Sequence, residues 1–279
     1  MVYYAIENLL AGDDVVLSSS SEDALYVLGN LHNGRPSKPF RFTGVGAPGD
    51  PEWVCAEFDD AKRVTLAAVF NHNLSLGSSN DELLLKACAG GCESGGSAPC
   101  DWTAPDLSLD LSGRLVSGWN DLYHFLDETQ PSWRLEVVDE DNGDGHVEVG
   151  EWFLGRHAAL ASARLQPGRA ESPRLYGPAN KTAYGQHWPL AFGRTVTLDL
   201  SLWNLNDPST LDAVRAMIEA AHENNGRLVV VPAPRHPFVY YVHLENTEGF
   251  MAQIIRGLDC EVTSWTLQLE TLVRGIRLL

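Results

Sequence analysis

Residues Trp133 to Gly155 read WRLEVVDEDNGDGHVEVGEWFLG, and two incompatible structures can be written for them. Counting from Glu140, the residues Glu140, Asn142, Asp144, Gly145, Val147 and Glu151 fall on positions 1, 3, 5, 6, 8 and 12 of a calcium-binding EF-hand loop. Such a loop needs a helix on each side. The flanks instead alternate with a period of two. Trp133, Leu135 and Val137 are apolar while Arg134 and Glu136 are polar, and Val147 and Val149 alternate with His146, Glu148 and Gly150. That period belongs to β-strands. Asn142-Gly143 and Asp144-Gly145 are the residue types that accept a positive φ in a tight connection. The reading is therefore a β-hairpin that completes a sandwich, with calcium in its loop, at Asp139, Asp141 and Asp144, kept as an open alternative.

Outward from this stretch the same punctuation recurs. Toward the N-terminus, Phe40-Arg41-Phe42-Thr43, Trp53 to Phe58, Arg63 to Phe70 and Leu83 to Ala87 read as short strands, with a turn at Asp59 to Lys62. Gly44-Val45-Gly46-Ala47-Pro48-Gly49 matches the G-x-G-x-x-G spelling. A nucleotide fingerprint must open a helix, and Pro48, Asp50 and Pro51 prescribe turns instead. Residues 1–161 thus read as a β-sandwich domain. Residues 162–189 carry Pro167, Gly168, Pro173, Gly177, Pro178, Gly185 and Pro189 and read as a linker or arm. Residues 190–279 read as a small α+β domain, one helix on a largely antiparallel sheet. There Thr195 to Trp203 alternates, Asp207 and Pro208 start a helix, and Leu211, Val214, Ile218 and Ala221 form its apolar face. Asn225-Gly226 ends the helix, and strands follow from Leu228, Phe238 and Trp265. The fold class is mainly β.

Composition narrows the function classes. The formal net charge of −17 over 279 residues repels a phosphate backbone, which disfavours specific nucleic-acid binding. The opening residues lack the basic-then-apolar pattern of a signal peptide. No run approaches the roughly 18 to 20 apolar residues of a membrane span, so membrane insertion is not expected and synthesis is placed in the cytoplasm. Cys88, Cys92 and Cys100 share one Gly/Ser-rich segment, with Cys55 and Cys260 elsewhere. Their spacing fits zinc poorly. Free thiols are the plain reading in a reducing compartment, and a bridge from Cys100 to Cys88 or Cys92 would follow from later oxidation.

No P-loop, G-x-S-x-G elbow or H-E-x-x-H motif occurs, so an enzyme is not expected and no cofactor is implied. Acid/base work by the Asp139 to Asp144 cluster on cell-wall sugar is the enzymatic alternative. His72 reads as a hydrogen-bonded strand-end histidine rather than a metal ligand. Trp119, Leu122, Tyr123 and Phe125 form an aromatic cluster whose ordinary role is core packing.

The central stretch also resembles a family. Trp133 to Val137, the Asp/Asn/Gly turn, Val147 to Gly150 and Phe153-Leu154-Gly155 together resemble a pattern in tail proteins of long-tailed bacteriophages. Ile6 to Leu10, Phe40 to Gly44 and Val69 to Leu74 resemble the same group, whose front half is similar to discoidin-type, galactose-binding-like sandwiches. The unit that ends in Val229-Val230-Val231-Pro232 resembles domains that build rings near a tail tip. Two departures stand out: Glu151-Trp152 where a basic and an aliphatic residue are expected, and the cysteine-rich loop.

The resemblance implies a virion structural protein at the distal tail or baseplate, made in the host cytoplasm. It further implies a homo-oligomer that meets the tail tube, the tape measure and other tail-tip components. The sandwich resemblance implies the alternative of a carbohydrate-binding module at the host surface, with Trp119, Tyr123 and Trp133 as the stacking rings.

Overall fold

The computed structural model describes residues 1–75, 79–92, 100–114, 121–161, 163–165, 172–176, 179–181, 187–189, 193–203, 207–244, 264–271 and 274–275. The chain forms two compact units. Glu7–Arg156 is one, inserted into a second made of Met1–Ile6 and His157–Leu279. The first strand, β1 (Val2–Ala5), belongs to the second unit and not to the sandwich, which begins only after it.

The inserted unit contains β2 (Val15–Ser19), β3 (Phe40–Arg41), β4 (Glu52–Phe70), β5 (Glu82–Cys88), β6 (Leu107–Asp110), β7 (Asp121–Val138), β8 (Glu148–Val149) and β9 (Glu151–Gly155). Its main sheet runs β2-β4-β7-β5-β6, with β9 also paired to β4, and every pairing is antiparallel. Alternation sets the two faces. Val54, Ala56, Leu83, Leu85, Trp133 and Leu135 point inward and are fully buried. They meet Leu10, Leu31, Phe40, Phe42 and Val149 from the second layer, where Phe40 and Phe42 pack edge to face at 4.7 Å. This is the β-sandwich the alternation predicts.

Three local expectations change. Asp59 to Lys62 is not a turn, because β4 continues through it. The register slips between Glu57 and Lys62, and Pro131 of β7 sits opposite the slip, between Ser132 (partner of Glu57) and Gln130 (partner of Lys62). A bulge is where a strand tolerates proline.

Nor does Trp133 to Gly155 form a hairpin. Its strand character is right, but β7 pairs with β4 and β5, β8 pairs with β3, and β9 pairs with β4. The segment leaves the main sheet after β7, pairs with β3 through β8 and returns to the main sheet as β9. Main-chain and side-chain groups of residues 73–75 hold it there. Asp139 accepts from the Ser75 amide at 3.0 Å and the Ser75 hydroxyl at 2.6 Å, Asn142 donates to the Asn73 carbonyl at 3.1 Å, and the Glu148 amide donates to Asn73 Oδ1 at 2.6 Å. Of the turn glycines, Gly145 takes the positive φ, at 71°.

The third change concerns the second unit. It comprises β1 with β10 (His157–Leu160), β11 (Ala163–Leu165), β12 (Ser172–Tyr176), β13 (Ala179–Lys181), β14 (His187–Pro189), β15 (Gly193–Trp203), α1 (Pro208–Glu223), β16 (Arg227–Val231), β17 (Tyr240–Leu244), β18 (Ser264–Thr271) and β19 (Arg274–Gly275). The sheet order is β10-β1-β16-β17-β18-β15-β11, with β12 and β19 also on β15 and β13 paired to β14. The stretch 162–189, read as a linker, thus contributes strands. Pro173 on β12 opposes Val196, and among the described residues β12 pairs only with β15; a strand at an edge loses nothing by lacking one N–H.

The α+β reading of the C-terminal part holds. Asp207 caps α1 by accepting from the Thr210 amide at 2.9 Å, with Pro208 in the first turn. Val214, Met217, Ile218 and Ala221 are buried. The helix stops where Asn225 and Gly226 take φ of 54° and 76°. Among the described residues no helix is long and apolar enough to cross a membrane.

Candidate functional site

The outer face of the inserted unit's main sheet has its own chemistry. Alternation that buries Leu83, Leu85, Trp133 and Leu135 turns Leu84, Lys86, Arg134 and Glu136 to the opposite face. Register then sets them side by side: Trp53 opposes Glu136, which opposes Leu84, and Cys55 opposes Arg134, which opposes Lys86. Lys86 Nζ lies 2.6 Å from Glu136 Oε2, and Arg134 Nε lies 3.0 Å from Glu136 Oε1. The side chains of Lys86, Arg134 and Glu136 are only 13%, 10% and 7% exposed. Charges this enclosed must be paired, and the two cations share one carboxylate.

Aromatic rings complete the face. The Arg134 guanidinium lies 4.4 Å from the centre of the Trp53 ring and 5.4 Å from that of Trp102, a cation held by two π faces. Trp102 comes from the segment that follows the cysteines. Its carbonyl accepts from Lys86 Nζ at 3.0 Å, and its indole N–H donates to the Cys92 carbonyl at 3.4 Å. Two disulfides pin that segment: Cys55, on the sheet face, bonds Cys92, and Cys88 bonds Cys100.

The plain reading of free thiols is therefore corrected for these four residues. The sequence could offer Cys88–Cys100 as one of two short-range choices, but it gave no sign of Cys55–Cys92. Cys260 lies outside the described residues. Between the Trp102 segment, the 48–51 turn and strands β5 and β7 opens a cleft of about 570 Å³. Pro48, Gly49, Trp102, Arg134, Glu136 and Val138 are among its walls. The volume is that of a small-molecule site. Its groups offer an apolar ring face beside fixed donors and an acceptor, a combination suited to a polyhydroxylated ring.

Two of the rings singled out from sequence, Trp133 and Tyr123, lie elsewhere. Trp133 has no exposed surface, and its indole N–H donates to the Gln130 carbonyl at 3.1 Å. Tyr123 is nearly buried, edge-on to Phe125 at 5.4 Å. Both rings are packed inside, which removes them as stacking platforms. Trp119 lies outside the described residues. The signal that could have found the face is the polar half of the strands: Lys86, Arg134 and Glu136 alternate with core residues, so they must share a surface.

Asp139, Asp141 and Asp144 do not converge. Asp139 is fully buried and taken up by Ser75 and by Asn142, whose amide donates to it at 2.8 Å. Asp144 accepts from Asn73 at 3.0 Å. Among the described residues no three His, Cys, Asp or Glu side chains form a group that could hold a metal ion. Asp139 is also too enclosed to serve as the solvent-reaching acid/base of the enzymatic alternative. His72 is buried, and its Nδ1 accepts from the Leu74 amide at 3.2 Å, the structural role expected of it.

No protein-family model matches the chain, and no curated protein matches it. Among solved structures, similarity is found to CpGH89CBM32-6 from Clostridium perfringens, at 14% identity and TM-score 0.36, covering 54% of this chain and 99% of that one. The family 32 CBM of C. perfringens NanJ, solved with galactose, matches at 10% identity and TM-score 0.39, with 56% and 99% covered. A GH29 fucosidase of Ruminococcus gnavus matches at 8% identity and TM-score 0.39, with 55% of this chain and 27% of that one covered. At TM-scores below 0.5 these likenesses carry no weight for function.

Proposed function

We propose that this protein is a carbohydrate-binding structural subunit of a bacteriophage tail tip. The observation that carries the binding half is the cleft itself: the Trp102 ring beside Arg134 and the Lys86–Glu136 pair, in a recess of about 570 Å³. Aromatic faces stack on the apolar side of a sugar ring, while paired charged groups exchange hydrogen bonds with its hydroxyls. The tail half rests on the motifs from Trp133 to Gly155 and from Val229 to Pro232, which resemble tail proteins. The two halves are compatible, since a tail tip meets the host surface. In that role the chain assembles with copies of itself and with other tail components.

A glycan array probed with the full chain tests the binding half. Wild type gives discrete hits, and Trp102→Ala loses them at least ten-fold while keeping its far-UV circular dichroism. A blank array for the wild type would sink this half. Antibody-gold labelling of intact particles tests the other. Gold at one end of the tail, together with an oligomer by light scattering, supports it; a monomer absent from particles refutes it.

A further inference from the structure

We infer that the cleft is switched on by oxidation of the chain's own thiols, a regulation that rests on the reading of the cleft as a saccharide site. The two sides of the cleft are held differently. The sheet side is built into the core: Trp133, Leu135 and Leu85 lie on the same strands as Arg134, Glu136 and Lys86 and are fully buried. The Trp102 side has no such anchor. Among its described residues, Cys88 to Cys92 and Cys100 to Asp106, none belongs to the hydrophobic cluster.

Among the described residues its non-covalent ties are the pairing of Cys88 with Ser132 at the end of β5, the Arg134–Trp102 contact and a set of hydrogen bonds. The Cys92 amide donates to Glu57 at 2.9 Å, the Ala89 amide to Asp106 at 2.8 Å, the Cys100 amide to Gly91 at 2.9 Å, and Lys86 to the Trp102 carbonyl. Each is a bond that water can replace. The covalent ties are Cys55–Cys92, which fastens the segment to the middle of the sheet, and Cys88–Cys100, which closes it next to Trp102. Removing both leaves the sandwich its core and frees the segment to leave the face, so the Trp102 wall is lost while the floor of Lys86, Arg134 and Glu136 remains.

Each bridge forms by thiol–disulfide exchange with a low-molecular-weight disulfide such as oxidised glutathione. One cysteine thiolate attacks it and releases one reduced glutathione; the second cysteine displaces the other. Two protein thiols thereby lose two protons and two electrons, and the oxidant is reduced to two thiols. A chain made in a reducing compartment therefore carries an open face, and one released into oxidising surroundings carries a closed, binding-competent one.

The experiment uses the full chain equilibrated with oxidised glutathione or with dithiothreitol, with bridges counted by mass after iodoacetamide. Three readouts follow: glycan-array signal, far-UV circular dichroism, and acrylamide quenching of wild type minus that of Trp102→Phe, which isolates the Trp102 contribution. The expected result is a glycan signal at least ten-fold lower on reduction. Trp102 becomes quencher-accessible and the far-UV spectrum stays unchanged. Cys88→Ser/Cys100→Ser with Cys55→Ser should match the reduced wild type under oxidant; if it does not fold, the reduced wild type still decides. Equal binding in both states, unchanged Trp102 shielding, or loss of the far-UV spectrum on reduction would each overturn the switch. If no glycan binds either form, the saccharide reading fails alone, and the quenching comparison still decides whether oxidation closes the cleft.

Discussion

Asn8 and Glu151 are 143 residues apart in sequence and hydrogen-bonded in the interior, with Asn8 Nδ2 donating to Glu151 Oε1 at 3.1 Å. They stand where the chain enters and leaves the inserted unit. Asn8 also donates to the Trp152 carbonyl at 2.9 Å and accepts from the Leu10 and Leu154 amides, and Glu151 accepts from the Gly34 amide at 3.0 Å. Glu151, one of the two departures from the tail-protein pattern, is thus the acceptor that this closure uses. Removing a buried partner costs its hydrogen bonds and leaves groups desolvated. Asn8→Ala should lower the unfolding free energy by about 2–3 kcal/mol in urea titrations. Asn8→Asp, which keeps the shape but sets a carboxylate against Glu151, should cost more at pH 7. An Asp variant as stable as the Ala variant would show that the pair is not energetically coupled.

Gly46 falls in the stretch that spells a nucleotide fingerprint yet serves a turn. Its φ is 71°, and a Cβ there would lie 2.4 Å from the Val137 carbonyl and 2.8 Å from the Glu52 amide. Backbone cannot withdraw as a flexible side chain can. Gly49, at φ 84°, has nothing within 4 Å of its would-be Cβ. Gly46→Ala should therefore destabilise the unit by about 3 kcal/mol or more, against about 1 kcal/mol for Gly49→Ala, which bears only the left-handed strain. Paired thermal melts check this. Equal losses would mean that strain alone matters at Gly46 and the close approach does not.

Calcium should do nothing to stability. A site at one hundred times its dissociation constant would add about 2.7 kcal/mol. Asp139 instead spends both oxygens on Ser75 and Asn142. Melting temperatures in 1 mM calcium and in chelator should coincide within about 1 °C, whereas the addition of 2.7 kcal/mol would move a domain of this size by several degrees. A rise of that size would restore the ion to the Asp139–Asp144 loop.

Local chemistry was readable where one residue type forces one geometry. Trp133, Leu135 and Val137 alternate, so β7 was legible; Asp207-Pro208 and Asn225-Gly226 bound α1 because a cap and a positive φ are local needs. What could not be read is pairing between distant segments. Tyr3 opposes Val231, 228 positions later, and nothing in Val2–Ala5 marks it as part of the second unit. The same holds for the cleft. Trp53, Trp102 and Arg134 look unremarkable in sequence and meet only because β4 and β7 pair in one register and Cys92 returns to Cys55. Pro173 misled in the opposite direction, since proline is tolerated at a strand edge and its presence does not by itself exclude a strand.

His32 and His124 supply the pH dependence. Burial holds both below the usual histidine value of 6.5, and Arg114 pushes His124 further the same way. The neutral form is the one the fold accommodates, so at mildly acidic pH the unfolded chain binds more protons than the native one. Stability therefore rises with pH in that window. The contribution is complete above the unfolded pKa near 6.5 and is lost as pH falls from there through the lower folded values. Asp14, Asp101 and Asp207, held below 3.8 by their hydrogen bonds to Lys62, Thr103 and Ser209, lose theirs only in stronger acid. Urea midpoints should accordingly fall between pH 7.5 and pH 5.5. In His32→Gln/His124→Gln, which carries no charge at either position, that fall should shrink. If the double variant loses as much midpoint over this range as the wild type, the two histidines are not the groups that titrate.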